Sequence, residues 1–220
     1  MPSIVLIFHY FLSVYSSLRN SSLRNIGYSS LILVLFSCAH VWAGENLQAK
    51  EYLVKSAFLY NFARLSQWPE GTFKSPTDPF KLCLMGDDSF GLALNSIKNK
   101  KINGHPLLIK RRVSLDEAAE CQLVFISRSE EKDLQHILSY LQTYPVLTVS
   151  ELPGFAHKNG HIRLFLNDEY TLSLEINLQA IRNAGLRISS RILTLATIVE
   201  TETKAETDKE VDKVQEGRDD

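Results

Sequence analysis

Two adjacent aspartates, Asp87 and Asp88, are the first residues whose types could do chemistry. They follow the apolar run Phe80–Met85, which predicts a strand buried on both faces. Open α/β sheets bind ligands beyond the carboxyl ends of such strands. A phosphoacceptor site of the receiver type also needs an aspartate after the third strand, where this chain has Ser127 and Arg128. We therefore argue against a receiver and keep two alternatives: a ligand contact at Asp87 and Asp88, or the favoured tight turn with a helix cap.

No other group of residues has the spacing of a catalytic, cofactor or metal site. The turn Gly86–Gly91 lacks the glycine spacing of a dinucleotide loop or a P-loop, and the chain has no Gly-x-Ser-x-Gly motif. His157 and His161 have a metal-ligand spacing for a helix, but Asn159 and Gly160 between them predict a loop. We therefore predict that the protein is not an enzyme and needs no cofactor or metal.

Arginines provide a further candidate contact surface. Lys110, Arg111 and Arg112 are consecutive on the second predicted strand, and Arg128 follows the third. Guanidinium groups bind carboxylates and phosphates, so Arg111, Arg112 and Arg128 could contact an anion or a partner. A solvated edge strand explains the basic cluster equally well.

Helices and strands must alternate to position these residues. Apolar spacing predicts helices or helical turns over residues 51–66, 90–97, 115–119 and 130–141, and strands over residues 80–85, 106–113, 121–127 and 146–149. Such an alternation favours a mostly parallel sheet with helices on both faces.

The alternation of strand and helix ends after the strand predicted over residues 146–149. Two alternating runs, 161–166 and 171–176, surround a turn and predict an antiparallel hairpin at the edge of the sheet. Helices are predicted over residues 178–183 and 188–199. The predicted fold is a single three-layer α/β/α domain over residues 50–199, with a mostly parallel, flavodoxin-like sheet and an antiparallel edge hairpin.

The chain has three cysteines, and removal of an export signal that contains Cys38 would leave two, Cys83 and Cys121, which lie in or beside predicted buried strands. These strands are neighbours in a flavodoxin-like sheet, and an even cysteine count in an exported chain favours a disulfide. The alternative is a pair of separate thiols acting as small apolar side chains.

The composition excludes several classes of protein. With 45% hydrophobic and 22% charged residues, the chain is neither disordered throughout, nor collagenous, nor a multi-pass channel. A formal net charge of −1 gives no global basic field for nucleic acid.

The two ends differ from the middle of the chain. Residues 1–43 predict a cleaved export signal, because the apolar run Ser30–Ala43 follows two arginines and ends in small residues. A second apolar patch, Ile4–Tyr15, suggests that translation starts further downstream. A lipoprotein signal ending at Cys38 is a minor alternative. Residues 200–220 carry nine acidic and four basic residues and predict a disordered charged tail.

Ordered motifs across the middle of the chain resemble the YfiR family of periplasmic proteins. The matching blocks are Ala57–Ala63 with Trp68-Pro69, Cys83 with Gly86–Gly91, Cys121–Ser127, Val146–Ser150 with Gly154–Ala156, and Glu175–Asn177 with Ala184–Ser190. The resemblance covers about residues 51–198. The chain departs from the family pattern at Lys158–His161, and it lacks a second cysteine pair that some relatives carry.

This resemblance implies a non-enzymatic periplasmic repressor of an inner-membrane diguanylate cyclase. The expected partners are the periplasmic domain of that cyclase, an outer-membrane lipoprotein that sequesters the repressor, and a second copy of the chain. Repression would lower cyclic-di-GMP and thereby affect biofilm formation. The resemblance also supports a Cys83–Cys121 disulfide. The alternative function is a periplasmic small-molecule sensor with a different partner and a ligand near Gly86–Asp88 and Arg128.

Overall fold

We describe the fold from a computed structural model, which describes residues 47–169 and 171–201. The predicted export signal, its alternative lipid site at Cys38, and nearly all of the predicted charged tail lie outside the described residues. The helices are α1 (residues 47–64), α2 (Leu115–Ala119), α3 (Leu134–Leu141), α4 (Leu178–Asn183) and α5 (Ser190–Leu193), with 3-10 segments at Gly91–Ser96 and Arg128–Asp133. The strands are β1 (Ser66–Gln67), β2 (Phe80–Met85), β3 (Lys101–Ile102), β4 (His105–Arg111), β5 (Leu123–Ile126), β6 (Leu147–Ser150), β7 (Ile162–Leu166), β8 (Leu172–Asn177), β9 (Arg187–Ile188) and β10 (Thr197–Val199).

The main sheet has the order β10-β8-β7-β6-β5-β2-β4-β3. Strands β4, β2, β5 and β6 run parallel, as does β7 beside β6. In this sheet β2 lies between β4 on one side and β5 on the other, and β6 follows β5. This strand order confirms the flavodoxin-like arrangement. Antiparallel pairing occurs between β7 and β8 and between β3 and β4.

Alternation along β2 divides the apolar side chains between two cores. Leu82 and Leu84 point into a first core shared with α1, α4 and α5. Cys83 and Met85 point into a second core shared with α2 and α3. Because successive strand residues face opposite sides of a sheet, a continuous apolar strand fills both layers. The three-layer α/β/α prediction is therefore confirmed.

Helix α1 follows the apolar periodicity of the sequence. Its buried side chains include Tyr52, Leu59 and Phe62, which lie on one face at spacings of seven and three residues. None of the helices described is long and apolar enough to cross a bilayer.

The C-terminal part of the fold corrects two predictions. The β7–β8 hairpin is antiparallel but does not lie at the edge, because β10 pairs with the outer side of β8. The single helix predicted over residues 188–199 is also wrong. Ser189 caps the short helix α5, and the β-branched residues Thr197, Ile198 and Val199 then pair with β8 as a parallel strand.

Two other predicted helices contain 3-10 geometry, one throughout its helical segment and one only at its start. Residues 90–97 contain a 3-10 segment, Gly91–Ser96, and residues 130–141 begin as the 3-10 segment Arg128–Asp133 before α3. A separate two-stranded sheet, β1 with β9, was not predicted, since strands of two residues leave no periodicity to detect.

Candidate functional site

A disulfide bond joins Cys83 on β2 to Cys121, which lies just before β5. Their Cα atoms are 6.3 Å apart, and both side chains are buried in the second core. The neighbouring positions of β2 and β5 bring the cysteines together, in agreement with the predicted pairing.

The predicted contacts Asp88 and Arg111 bind each other. Asp88 Oδ1 accepts hydrogen bonds from the backbone N–H groups of Phe90 and Gly91, both at 3.1 Å, and its Oδ2 pairs with Arg111. Arg111 Nη2 also donates to the carbonyl oxygen of Gly91 at 2.9 Å. This arrangement fastens the start of the 3-10 segment to the end of β4 and forms the tight turn that the sequence favoured, with Phe90 at the N-cap position.

The turn after β2 is packed against the turn after β5. The backbone N–H of Asp87 donates to Ser129 Oγ at 2.9 Å, and Ser127 Oγ lies 2.7 Å from Ser129 Oγ. Gly86 has a φ of +79°, and a Cβ atom there would lie 2.3 to 2.6 Å from Ser129 Oγ, Ser127 Oγ and Glu130 Oε1. The space that a side chain at position 86 would need is therefore already occupied by Ser127, Ser129 and Glu130.

We predict that Gly86→Ala destabilises the protein by about 2 kcal/mol or more, because strain at positive φ adds to the displacement of three oxygens. Gly71→Ala is the matched control, since Gly71 has a φ of +84° with nothing within 4 Å of the added Cβ. It should cost only the strain of about 1–2 kcal/mol. Urea unfolding measures both, and equal losses would contradict the packing argument.

The most buried charges in the described chain form a network that the sequence analysis missed. Lys55 on α1 is 0% exposed, and its Nζ forms ion pairs with Glu151, which is 2% exposed, and with Glu51. Tyr52 Oη donates to Glu151 Oε1 at 3.0 Å, and Arg128 Nε donates to the same oxygen at 2.8 Å. Glu151 directly follows β6, so the network attaches α1 to the carboxyl edge of the sheet.

Opposing effects set the pKa of Glu151. Burial raises it, but the hydrogen bond and charge of Lys55, together with the charge of Arg128, hold the pKa below its ordinary value of 4.5. Burial also raises the pKa of Tyr52 to about 12, so this hydroxyl stays protonated and remains a donor. The network contributes stability above the ordinary carboxyl pKa and loses it as the pH falls through the lowered value.

A signal for this network exists in the sequence. Lys55 lies on the apolar face of α1, three residues after Tyr52 and four before Leu59, where a lysine needs a buried partner. Glu151 immediately follows an apolar strand. The sequence offers no means of pairing residues that are 96 positions apart.

The other two predicted arginines face different depressions of the surface. Arg112, with a φ of +53°, lines a depression of about 450 Å³ together with Gly86, Glu130 and His136. Arg128 has 70% of its side chain exposed and lines a separate depression of about 350 Å³. The predicted contacts Asp87, Asp88, Arg111, Arg112 and Arg128 therefore do not form one site.

His161 lies in the interior of the domain. It is 3% exposed, and its ring Nδ1 accepts from the backbone N–H of Thr148 at 3.1 Å. The backbone N–H of His161 donates to Thr148 Oγ1 at 3.1 Å. No group of three or more potential metal-ligating residues occurs in the part of the chain that the structure describes. These contacts indicate a structural role for His161.

We predict an acid-sensitive stability from His161. Burial lowers its pKa to about 4 from the ordinary 6.5, so the unfolded chain takes up the proton first. The free energy of unfolding is therefore unaffected by this group above pH 6.5. It falls by on the order of 3 kcal/mol as the pH decreases from 6.5 toward 4. Urea unfolding at several pH values measures this slope. His161→Asn keeps an acceptor for Thr148 and should flatten the slope, whereas an unchanged slope would contradict the assignment.

Of three comparisons with known proteins, the one with family models identifies the family of this chain. A family model described as YfiR/HmsC-like matches residues 52–197. Among curated proteins no match is found. A solved structure titled as a conserved domain protein from Vibrio cholerae O1 biovar eltor is similar at 8% identity, with a TM-score of 0.39. The alignment covers 54% of each chain, so this chain spans about half of that protein.

Proposed function

The chain belongs to the YfiR/HmsC-like family, and from this premise we propose that it represses an inner-membrane diguanylate cyclase by direct contact in the periplasm. The family indicates a periplasmic regulator of cyclic-di-GMP signalling that interacts with a signalling partner. The match to residues 52–197 is the observation that carries the proposal, because it extends from within α1 to the first residue of β10.

The proposed partner is the periplasmic domain of the cyclase, and the proposed outcome is less cyclic-di-GMP and less biofilm. An outer-membrane lipoprotein would relieve the repression by binding the same protein. We further propose export through residues 1–43 and a regulatory role without catalysis.

The geometry of the sheet's carboxyl edge supports a binding role rather than chemistry. Asp88 is engaged by Arg111, and Glu151 by Lys55, Tyr52 and Arg128. These carboxylates therefore hold α1 and the 3-10 segment in place. A charged group whose partners are all within the protein is suited to positioning a surface.

Repression by contact is a shift of population between active and inactive cyclase arrangements. The regulator lowers activity only by binding the inactive arrangement more tightly than the active one. A tenfold decrease in the ratio of active to inactive cyclase requires about tenfold tighter binding of the inactive arrangement, or about 1.4 kcal/mol. This free energy is a small fraction of that of a micromolar complex, which is about 8 kcal/mol.

Deletion of the gene tests this proposal. We expect cyclic-di-GMP and surface attachment to rise in the deletion strain and to return when the full gene is supplied. A gene lacking the codons for residues 1–43 is the matched control, and it should not restore repression because its product stays in the cytoplasm. An unchanged cyclic-di-GMP level in the deletion strain would refute the proposal.

A further inference from the structure

The outer face of α1 exposes apolar side chains. Leu53 and Val54 are each 48% exposed, and Ala57 is exposed between them and the next turn. Residues separated by three or four positions share a helix face, so these three form one short stripe. The buried face of the same helix already packs on the first core, and the stripe is therefore surplus to the fold.

A cluster of positive charge continues this stripe toward the C-terminal end of α1. Tyr60 lies at its centre, with the Arg64 guanidinium 5.6 Å and Lys100 Nζ 4.8 Å from the centre of its ring. Tyr60 Oη donates to the backbone carbonyl oxygen of Lys101 at 3.2 Å, so the backbone at the start of β3 lies beside the same ring. Within residues 47–169 and 171–201, no carboxylate forms an ion pair with Arg64, Lys100 or Lys101.

We propose that this surface, formed by Leu53, Val54, Ala57, Arg64 and Lys100, is where the signalling partner binds, and that it receives an amphipathic helix with an acidic end. The inference rests on the proposed function and specifies its contact surface. The small side chain of Ala57 at the centre allows a second helix to approach closely. Carboxylates at one end of that helix would pair with the cations around Tyr60 and fix its direction.

A second copy of this chain fits the surface poorly. Two α1 helices crossing through the stripe would bring no unpaired carboxylate to the cations, because Glu51 already pairs with Lys55. A bilayer also fits poorly. Leu53 and Val54 are half-buried and the stripe contains no bulky aromatic residue, whereas interfacial helices insert large apolar side chains to a depth of about 5–10 Å.

Charge substitutions on α1 test the inference while the core remains intact. Leu53→Glu disrupts the apolar end, and the double variant Arg64→Glu/Lys100→Glu reverses the basic end. The control for Leu53→Glu is Leu108→Glu, because Leu108 is also an exposed leucine, at 41%. Its neighbours Leu107 and Ile109 pack on the first core, so the side chain of Leu108 faces the other side of the sheet. Lys132→Glu, on the exposed 3-10 segment before α3, is the control for charge.

The probe is the purified periplasmic domain of the cyclase whose activity rises in the deletion strain. We expect each α1 variant to bind it at least about tenfold more weakly than the wild type, with both controls within about twofold. Salt should weaken wild-type binding more than binding of the Arg64→Glu/Lys100→Glu variant. Equal affinity of the α1 variants and the wild type would overturn the inference alone. No binding by the wild type would overturn the proposed function together with it.

Two further measurements address the other occupants. Wild-type protein that sediments with vesicles of equimolar phosphatidylethanolamine and phosphatidylglycerol, when Leu53→Glu does not, would overturn the inference in favour of a membrane. A dimer in sedimentation velocity that Leu53→Glu dissociates would overturn it in favour of a second copy.

Discussion

Glu151→Leu is expected to lower the free energy of unfolding by about 3–5 kcal/mol, because it removes the buried partner of a fully buried lysine. Lys55 is then left with Glu51, whose side chain is 21% exposed. The hydroxyl of Tyr52 and the Nε of Arg128 also lose their acceptor. Chemical unfolding at neutral pH measures this loss.

Two further variants separate a buried charge from a general loss of packing. The double variant Lys55→Met/Glu151→Leu removes both charges and should be more stable than Glu151→Leu. Lys81→Met breaks the Lys81–Glu120 pair, in which the side chains are 28% and 66% exposed, and should cost less than about 1 kcal/mol. A double variant less stable than Glu151→Leu would show that the charge of Lys55 is not the cause.

Replacement of both disulfide cysteines, Cys83→Ala/Cys121→Ala, is expected to cost about 3–4 kcal/mol, since the bond closes a loop with a sequence separation of 38 residues in the unfolded chain. Loss of packing by the two sulfur atoms in the second core adds to this cost. Urea unfolding without reductant gives the difference in unfolding free energy.

Reduction of the wild type provides the control for this pair. Dithiothreitol should lower the stability of the wild type toward that of the double alanine variant and leave the variant unchanged. Thiol titration of the denatured, unreduced mature protein should find neither Cys83 nor Cys121 reactive. Reactive thiols at both positions would contradict the disulfide.

The parallel part of the sheet could be predicted because its strands are buried on both faces. Continuous apolar runs such as Phe80–Met85 separated by amphipathic helices leave few arrangements, and right-handed crossovers reduce them further. The strand order and the cysteine count favoured the Cys83–Cys121 pairing over two separate thiols, and the disulfide in the structure agrees with it. These features depend on patterns within about ten residues and on general rules of connection.

The C-terminal end depended on information that local patterns lack. The segment 197–199 is too short to show a period, and only the exposed edge of β8 determines that it pairs as a strand. The sequence favours a turn with a helix cap at Asp88 and leaves Arg111 as a possible external contact or a solvated edge residue, but it does not show that the two pair with each other across 23 positions. Lys55 and Glu151 were missed for the same reason, because contacts between residues far apart in the chain are determined by the tertiary fold.

The central claim is tested most directly by the diguanylate cyclase activity of the purified full-length enzyme in nanodiscs, where both faces are accessible. Mature protein beginning at Gly44 is added in increasing amounts, and formation of cyclic-di-GMP from GTP is measured. We predict that the rate falls and reaches a plateau, and that Leu53→Glu needs at least about tenfold more protein for half of the effect. A rate that is unchanged at saturating wild-type protein would contradict repression by contact.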